Sequence, residues 1–370
     1  MNAAAFSSAD HLWMARALRL AQRGLNTTQP NPRVGCVLVL GGEVVGEGWH
    51  QRAGEPHAEV FALRDAGTRA RGATAYVTLE PCCHRGRTPP CTEALVAAGV
   101  ARVVVAAGDS NPRINGGGIE RLRAAGIAVD CGLLREPARE LNIGFFSRIE
   151  RGRPWLRLKL AMSLDGRTAL ASGDSKWITG EAARADVQRW RARSSALLSS
   201  DATVLADDPR LTVRLPQGED FTPPLRVLLD PRLRIPATAR ALDGQAPSVL
   251  LHAQGAAPAK PLADVEKVEI AGHGDPLDLE AVLCWLAERG ANEVQVEAGA
   301  RLGGALFAAG LVDELLLYLA PVLLGDAARP LLALPPLSTM AARWRLRTVE
   351  RRIIGDDIRL RLRPRPEAES

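Results

Sequence analysis

The spacing of apolar residues changes period along the chain in a regular order. Met14, Leu18 and Ala21 recur on one helical face, so a helix is predicted from a cap at Ser8 or Asp10 to about Arg23, with Gly24 as its stop. Residues 34–40 and 43–49 then alternate like the two arms of a hairpin around Gly41-Gly42. The following periods predict a helix at 57–65, a buried strand at 73–79, a helix at 90–98, a strand at 102–106, a helix at 118–125 and a short strand at 127–131. Strands and helices in that order make a sheet covered by helices, an α/β layer fold.

The pattern breaks at 146–154, where Ser-Arg-Ile-Glu-Arg-Gly-Arg-Pro is polar and contains both Gly and Pro. A linker is expected there, separating a unit at 1–146 from one at 154–370. The second unit reads as strands at 155–162, 196–199, 226–230, 248–252, 293–297 and 314–320, with helices at 181–193, 277–289 and 302–309. Residues 216–224 read as a loop, and two alternating strands around Gly355-Asp356-Asp357 end the chain. A length of 370 residues suits two domains. No internal repeat relates the halves.

Apolar residues are 46% and charged residues 24%, which excludes extended disorder and a fibre. The apolar runs 34–40 and 315–324 are shorter than the roughly 20 residues that span a bilayer. Asp10, His11, Arg16 and Arg19 stand where a signal peptide needs an apolar stretch. A cytoplasmic protein with no membrane partner is expected. The net charge of +5 comes from dispersed arginine, and aromatics are only 4%, so nucleic acid is not expected as a partner. The arginine content is either compositional bias or a means of holding phosphorylated substrates.

Three of the six cysteines, Cys82, Cys83 and Cys91, fall within ten residues, a spacing that points to a metal rather than to disulfides. His57-Ala58-Glu59 precedes them. One imidazole and two thiolates, His57, Cys82 and Cys91, suit a Zn²⁺ ion and leave its fourth position to water, the mark of a catalytic site. The ion would bring that water's pKa to about 7. Glu59 can then move protons, and His-x-Glu with Pro-Cys is the signature of zinc deaminases acting on nucleobases. Cys83 and His84 are left out of the ligand set, and Cys36, Cys131 and Cys284 read as buried hydrophobes. A zinc ion that only holds the fold, and a nucleic-acid deaminase with an appended RNA-binding half, are the competing readings.

Longer motifs carry a resemblance. Asn31-Pro-Arg-Val-Gly-Cys36, Gly54-Glu-Pro-His57-Ala-Glu59 and Thr78-Leu-Glu-Pro-Cys82-Cys-His-Arg-Gly-Arg-Thr-Pro-Pro-Cys91 resemble the deaminase half of the bifunctional riboflavin biosynthesis family. Its eight-residue gap between the cysteines is unlike the two-residue gap of cytidine and tRNA deaminases. Leu158-Lys-Leu-Ala-Met-Ser-Leu-Asp-Gly-Arg167, Ser172-Gly-Asp-Ser-Lys-Trp-Ile-Thr179, Thr203-Val-Leu-Ala-Asp-Asp-Pro-Arg-Leu-Thr-Val-Arg214 and Val296-Glu-Ala-Gly-Ala-Arg-Leu-Gly-Gly304 resemble its reductase half. The resemblance implies a cytidine-deaminase-like three-layer domain at 1–146 and a dihydrofolate-reductase-like domain at 154–370. It implies a zinc-dependent deamination of 2,5-diamino-6-(5-phosphoribosylamino)pyrimidin-4-one. An NADPH-dependent reduction of 5-amino-6-(5-phosphoribosylamino)uracil to its ribityl form would follow.

No Gly-x-Gly-x-x-Gly fingerprint follows a strand, so a Rossmann fold is unsupported. Ala298-Gly299-Ala300 with Gly303-Gly304 is by itself a strand–helix turn with room for a phosphate. The resemblance turns it into a cofactor loop. Carried over by position, Ala161, Trp177, Thr203, Asp207, Gly299, Ala300, Arg301, Leu302, Gly303, Gly304 and Ala305 would contact NADPH. Ser175, Arg191, Leu211, Arg214 and Glu297 would contact the substrate, with Arg191 and Arg214 on its phosphate. On strand 155–162, Leu156, Leu158 and Leu160 share one face and Arg157, Lys159 and Ala161 the other, which leaves Lys159 either at the site or in water. Oligomeric state, a homo-oligomer included, is left open.

Overall fold

The computed structural model describes residues 6–84, 89–111, 114–258, 264–271 and 277–365. The chain divides into two units between Gly152 and Arg153. No helix among the described residues is long and apolar enough to cross a membrane.

The first unit runs α1 (Ser8–Ala21), β1 (Gly35–Leu40), β2 (Glu43–Trp49), α2 (Ala58–Ala66), β3 (Thr74–Leu79), α3 (Cys91–Ala98), β4 (Arg102–Ala107), α4 (Gly117–Ala124), β5 (Ala128–Cys131), α5 (Arg135–Leu141) and α6 (Ile143–Arg151). Its sheet has the order β2-β1-β3-β4-β5. β1 is antiparallel to β2 and β3, whereas β3, β4 and β5 are parallel. Alternation along the strands serves two faces. Cys36, Leu38, Ala75, Val77, Val103 and Val105 pack with Ala58, Ala62, Leu95 and Leu122 of α2, α3 and α4. Val37, Val39, Tyr76, Val104 and Ala106 pack with Met14 and Leu18 of α1 and with Phe145 and Phe146 of α6. A sheet buried on both faces is the three-layer arrangement expected. The cap of α1 is Ser7 rather than Ser8 or Asp10. Its hydroxyl accepts from the Asp10 N–H, and the Asp10 carboxylate accepts from the Ser7 N–H at 2.9 Å, a capping box.

The polar stretch expected to be a linker is mostly α6. Its arginines and Glu150 form the outer side of a helix whose inner side is Phe145, Phe146 and Ile149, and the division between the units falls just beyond it, inside the expected stretch. Cys36 is buried as expected, but Cys131 and Cys284 are exposed.

The second unit contains β6 (Trp155–Ser163), β7 (Arg167–Ala169), α7 (Glu181–Arg193), β8 (Ala196–Ser200), α8 (Asp201–Asp207), β9 (Leu225–Leu229), β10 (Ser248–Ala253), β11 (Glu266–Ile270), α9 (Leu279–Glu288), β12 (Glu293–Val296), α10 (Ala300–Ala308), β13 (Glu314–Ala320), β14 (Arg329–Pro330), β15 (Leu346–Ile354) and β16 (Asp357–Pro364). Nine strands form one sheet in the order β11-β10-β9-β8-β12-β6-β13-β16-β15, parallel except for β16, which is antiparallel to both β13 and β15, while β7 and β14 make a separate ribbon. Leu156, Leu158 and Leu160 enter the main core beside α9 and α10. The opposite face of β6 is covered too. Arg157 is fully buried there, its Nε donating to Glu314 at 2.8 Å and its Nη2 to Glu293 at 3.1 Å, under the ring of Trp190. The sheet ends on charge at both edges: Glu266, Lys267 and Glu269 are exposed on β11, and Arg347, Arg351 and Arg352 on β15.

Helix α2 lies directly on β2 because Gly46 and Gly48 lack side chains. A Cβ at Gly46 would stand 2.3 Å from the Ala62 carbonyl oxygen, and one at Gly48 2.3 Å from that of Ala58. Gly48→Ala is therefore expected to push α2 outward and destabilise the first unit by about 1–3 kcal/mol. A lowered midpoint in chemical denaturation would show it, and an unchanged midpoint would refute this packing.

Candidate active sites

In the first unit, three elements begin or end at one point. β3 ends at Leu79 and delivers Cys82; α2 starts just after His57; α3 starts at Cys91. His57, Cys82 and Cys91 bring one ligand atom each to within 4.8 Å of the others. His57 Nδ1 lies 3.2 Å from Cys91 Sγ and 3.5 Å from Cys82 Sγ, and the Cys91 N–H donates to Cys82 Sγ at 3.3 Å. Helix starts favour anionic sulfur through their free N–H groups. A hydrogen bond from Cys91 and one from His57, against the opposing effect of burial, hold the Cys82 thiol down at about 4. Cys91, hydrogen-bonded to that thiolate and buried, is pushed up. Two thiols and an imidazole converging on one point are a donor set that fits Zn²⁺.

Glu59, in the first turn of α2, is 3% exposed, and burial raises its carboxyl above the ordinary range. Neither Cys83 nor His84 joins the ligand group. Residues 85–88 of the long motif lie outside the described residues. Two neighbours not singled out by sequence complete the surroundings. The His50 ring sits edge-on to that of His57 at 5.4 Å between centroids. Its Nδ1 is 3.1 Å from the Pro56 carbonyl, which requires an N–H there, so its Nε2 accepts from Asn31 Nδ2 at 3.0 Å. Asn31 opens the first resembling motif, but its partner is nineteen residues away.

In the second unit, candidate residues gather where β6, β8 and β12 deliver their C-terminal ends, the usual place for ligands on an open parallel sheet. Pairing of Val296 with Leu158 sets Glu297 beside Lys159. Arg191 on α7 donates from Nε and Nη2 to the two Glu297 oxygens at 2.7 and 2.8 Å, and from Nη1 to the Thr212 carbonyl at 2.8 Å. Burial would raise the Glu297 carboxyl, but Arg191, with Lys159 and Gln295, brings it down to about 2. Burial pushes the Lys159 ammonium down, against the pull of Glu297, so Lys159, half-buried on β6, belongs to this group.

These contacts revise several expectations. Arg191 is engaged by Glu297 and Thr212, so its guanidinium is not open for a phosphate, whereas Arg214 is exposed. Leu211 is buried among Leu197, Val204 and Leu228, so its side chain is core. Gly303 and Gly304 are buried, and a Cβ at Gly304 would stand 2.3 Å from the Ala333 carbonyl oxygen, so these glycines admit packing rather than a ligand. Gly299 is the open one. It precedes α10 with nothing within 4 Å of a Cβ, and its N–H donates to Thr203 Oγ1 at 3.3 Å, joining two expected cofactor contacts. A free helix start with an open glycine fits a dinucleotide phosphate. Ala161 borders Tyr318 on β6; Ala300 and Leu302 are half-buried in α10; Arg301, Ala305 and Asp207 are exposed. Ser175 and Trp177 lie between β7 and α7, with the Arg184 guanidinium 4.7 Å over the Trp177 ring. Among the described residues, no hydrogen bond ties Ser175, Trp177 or Asp207 to the Glu297 group.

A His/Cys/Cys group with buried sulfurs beside a buried glutamate on a three-layer fold, followed by a largely parallel-sheet unit with a charged cluster at its strand ends, defines a deaminase joined to a reductase. Residues 7–107 match the cytidine and deoxycytidylate deaminase zinc-binding region, and residues 154–360 match the RibD C-terminal domain. The chain is 50% identical over 363 residues to riboflavin biosynthesis protein RibD of Escherichia coli strain K12, covering 95% of this chain and 99% of that one. The Acinetobacter baumannii RibD structure matches with a TM-score of 0.90 and 46% identity, covering 97% of this chain and 99% of that one. A diaminohydroxyphosphoribosylaminopyrimidine deaminase/5-amino-6-(5-phosphoribosylamino)uracil reductase from Thermotoga maritima matches with a TM-score of 0.87 and 34% identity, over 96% and 99%. The chain belongs to the RibD family of bifunctional deaminase–reductases of riboflavin biosynthesis.

The Glu297 pairing has an acid limit. Its carboxyl sits at about 2 when folded and near 4.5 when unfolded, so its stabilisation is complete above pH 4.5 and is lost as pH falls through 2. Glu297→Gln is expected to remove up to about 3 kcal/mol at neutral pH and to make the loss of stability between those pH values shallower. Denaturation at a series of pH values checks this; parallel curves for the variant and the parent would refute it.

Proposed function

We propose that the first unit deaminates 2,5-diamino-6-(5-phosphoribosylamino)pyrimidin-4-one and that the second reduces the ribosyl chain of 5-amino-6-(5-phosphoribosylamino)uracil to ribityl with NADPH, in the cytoplasm. The observation that carries this reading is the buried His57, Cys82 and Cys91 group with Glu59 beside it. Those three residues would hold Zn²⁺, which when bound makes a water acidic enough to react near neutral pH. Glu59, with its carboxyl raised by burial, takes a proton from the attacking water and passes it to the pyrimidine nitrogen and the leaving amino group. A carbonyl replaces the amine and ammonia departs. His50, held neutral by burial and fixed as one tautomer by Pro56 and Asn31, forms a rigid wall beside His57.

In the second unit, Thr203 and the start of α10 at Gly299 would hold the NADPH phosphates, flanked by Ala161, Trp177, Asp207 and Arg301. NADPH supplies hydride when bound. Arg214, with Ser175, takes the substrate phosphate, and Arg191 keeps Glu297 ionised and oriented toward the sugar. Lys159, an amine with its pKa pushed down beside that carboxylate, is suited to give up a proton as the sugar is reduced.

Metal analysis combined with assays of ammonia release and NADPH oxidation tests the reading. One zinc per chain and both signals are expected. Glu59→Gln should cut ammonia release by about a hundredfold or more, keep the zinc, and leave NADPH-dependent reduction of the deaminated intermediate unchanged. Ammonia release that survives the substitution would make the metal structural. Loss of both activities from a folded variant would contradict two independent sites.

A further inference from the structure

Glu80 stands between the end of β3 and Cys82, and it is 4% exposed. Among the described residues no basic side chain pairs with it. Its charge is met by backbone instead. Oε2 accepts from the N–H groups of Asp109 at 3.2 Å and Gly116 at 3.1 Å, and Oε1 from those of Gly118 at 2.9 Å and Ile119 at 3.3 Å. Four donors use the four acceptor positions of one carboxylate. Gly118 and Ile119 lie in the first turn of α4, whose free amides and dipole favour an anion. All four donors belong to the segment that follows β4.

That segment lies against the ligand group. Ile114 packs with Cys82 and Cys91. Asp109 is buried, and its carboxyl is close enough to Cys82 and His84 to feel their charge. The approach is tight: a Cβ at Gly118 would stand 2.1 Å from the Pro81 carbonyl oxygen and 3.1 Å from Glu80 Oε1, and one at Gly117 3.2 Å from Cys83 Sγ.

We propose that Glu80 is a positioning residue for deamination: its carboxylate pins Asp109 and residues 114–119 to the loop that carries Cys82 and so fixes one side of the surroundings of His57, Cys82 and Cys91. His57 and Glu59 sit at the start of α2 and Cys91 at the start of α3, and Cys82 stays on the loop that leaves β3, so releasing the facing wall leaves the metal and the proton carrier in place. What suffers is the fit of the pyrimidine. The proposal rests on the deaminase reading of the site.

The test uses the full chain and two substitutions. Glu80→Gln keeps the shape of the side chain but turns an NH₂ group toward N–H donors. Gly118→Ala pushes the same two segments apart from the other side. For each, KM for ammonia release is expected to rise by about 10–100-fold, the range typical of supporting residues around a metal site. The kcat should change by less than about threefold, and zinc content and NADPH-dependent reduction should not change. Because both act on one contact, the double variant should be no worse than the more severe single variant. Hydrogen exchange gives a second readout. The amides of Asp109, Gly116, Gly118 and Ile119 should be protected in the parent chain and exchange at least about tenfold faster in Glu80→Gln. An unchanged KM, a loss confined to kcat, loss of zinc, or multiplied effects in the double variant would overturn the proposal. So would unprotected amides in the parent chain, a measurement that decides the matter even if a variant does not fold. A parent chain that releases no ammonia would defeat the deaminase reading alone, leaving the exchange data to judge the pinning.

Discussion

A charge removed from water has to be answered locally, and both sites are organised by how that is done. In the first unit the answers come from backbone and imidazole: helix starts and His57 for the Cys82 thiolate, four amides for Glu80. In the second they come from arginine and lysine. Glu297 is held by Arg191 and Lys159, and Arg157 lies between Glu293 and Glu314 with no exposure at all. Each such group is costly without its partner, so the partners dictate where strands and helices meet. The sites are sharp in geometry because their surroundings have no cheaper arrangement.

The sheets turn this into placement. Parallel strands leave their C-terminal ends on one edge, and loops starting there carry Glu80 and Cys82 in one unit and Glu297 and Gly299 in the other. Close helix–strand contact then sets depth. Gly46 and Gly48 let α2 lie on β2, and Gly304 lets α10 lie on the backbone of Ala333, so each helix start reaches the strand ends it serves. Glycine here acts by absence of volume, not by flexibility.

What was legible in the sequence is what depends on nearby residues. Apolar periodicity revealed most strands of both units, though not the edge strand β11 or the short β7 and β14, and His57, Cys82 and Cys91 were legible because imidazole and paired thiols near helix starts have few other uses. Pairings across long separations were not. Glu80 meets amides 29 to 39 positions away, and Arg191 meets Glu297 across 106. Arg191 therefore looked like a phosphate ligand, and Glu80 drew no role of its own. Residues 146–154 were legible in part: the chain does divide there, between Gly152 and Arg153, but most of the stretch is the end of α6, whose charged exposed face reads like a linker while Phe145 and Phe146 lie on its hidden face. Gly303-Gly304 likewise resembled a ligand-binding turn, since a sequence does not tell whether the atom approaching a glycine is a phosphate or a carbonyl oxygen of the same chain.

The charged borders of the nine-stranded sheet have a consequence for how the molecule behaves in a crowded cell. A flat sheet with bare outer strands is a template on which another sheet can grow. Here a newcomer at β11 would have to settle against Glu266, Lys267 and Glu269, and at β15 against Arg347, Arg351 and Arg352. Stripping water from those groups opposes strand-by-strand accretion. The hydrogen-bonding borders of so broad a sheet are thus guarded chiefly by charged side chains, Ile353 being the exposed apolar residue on β15.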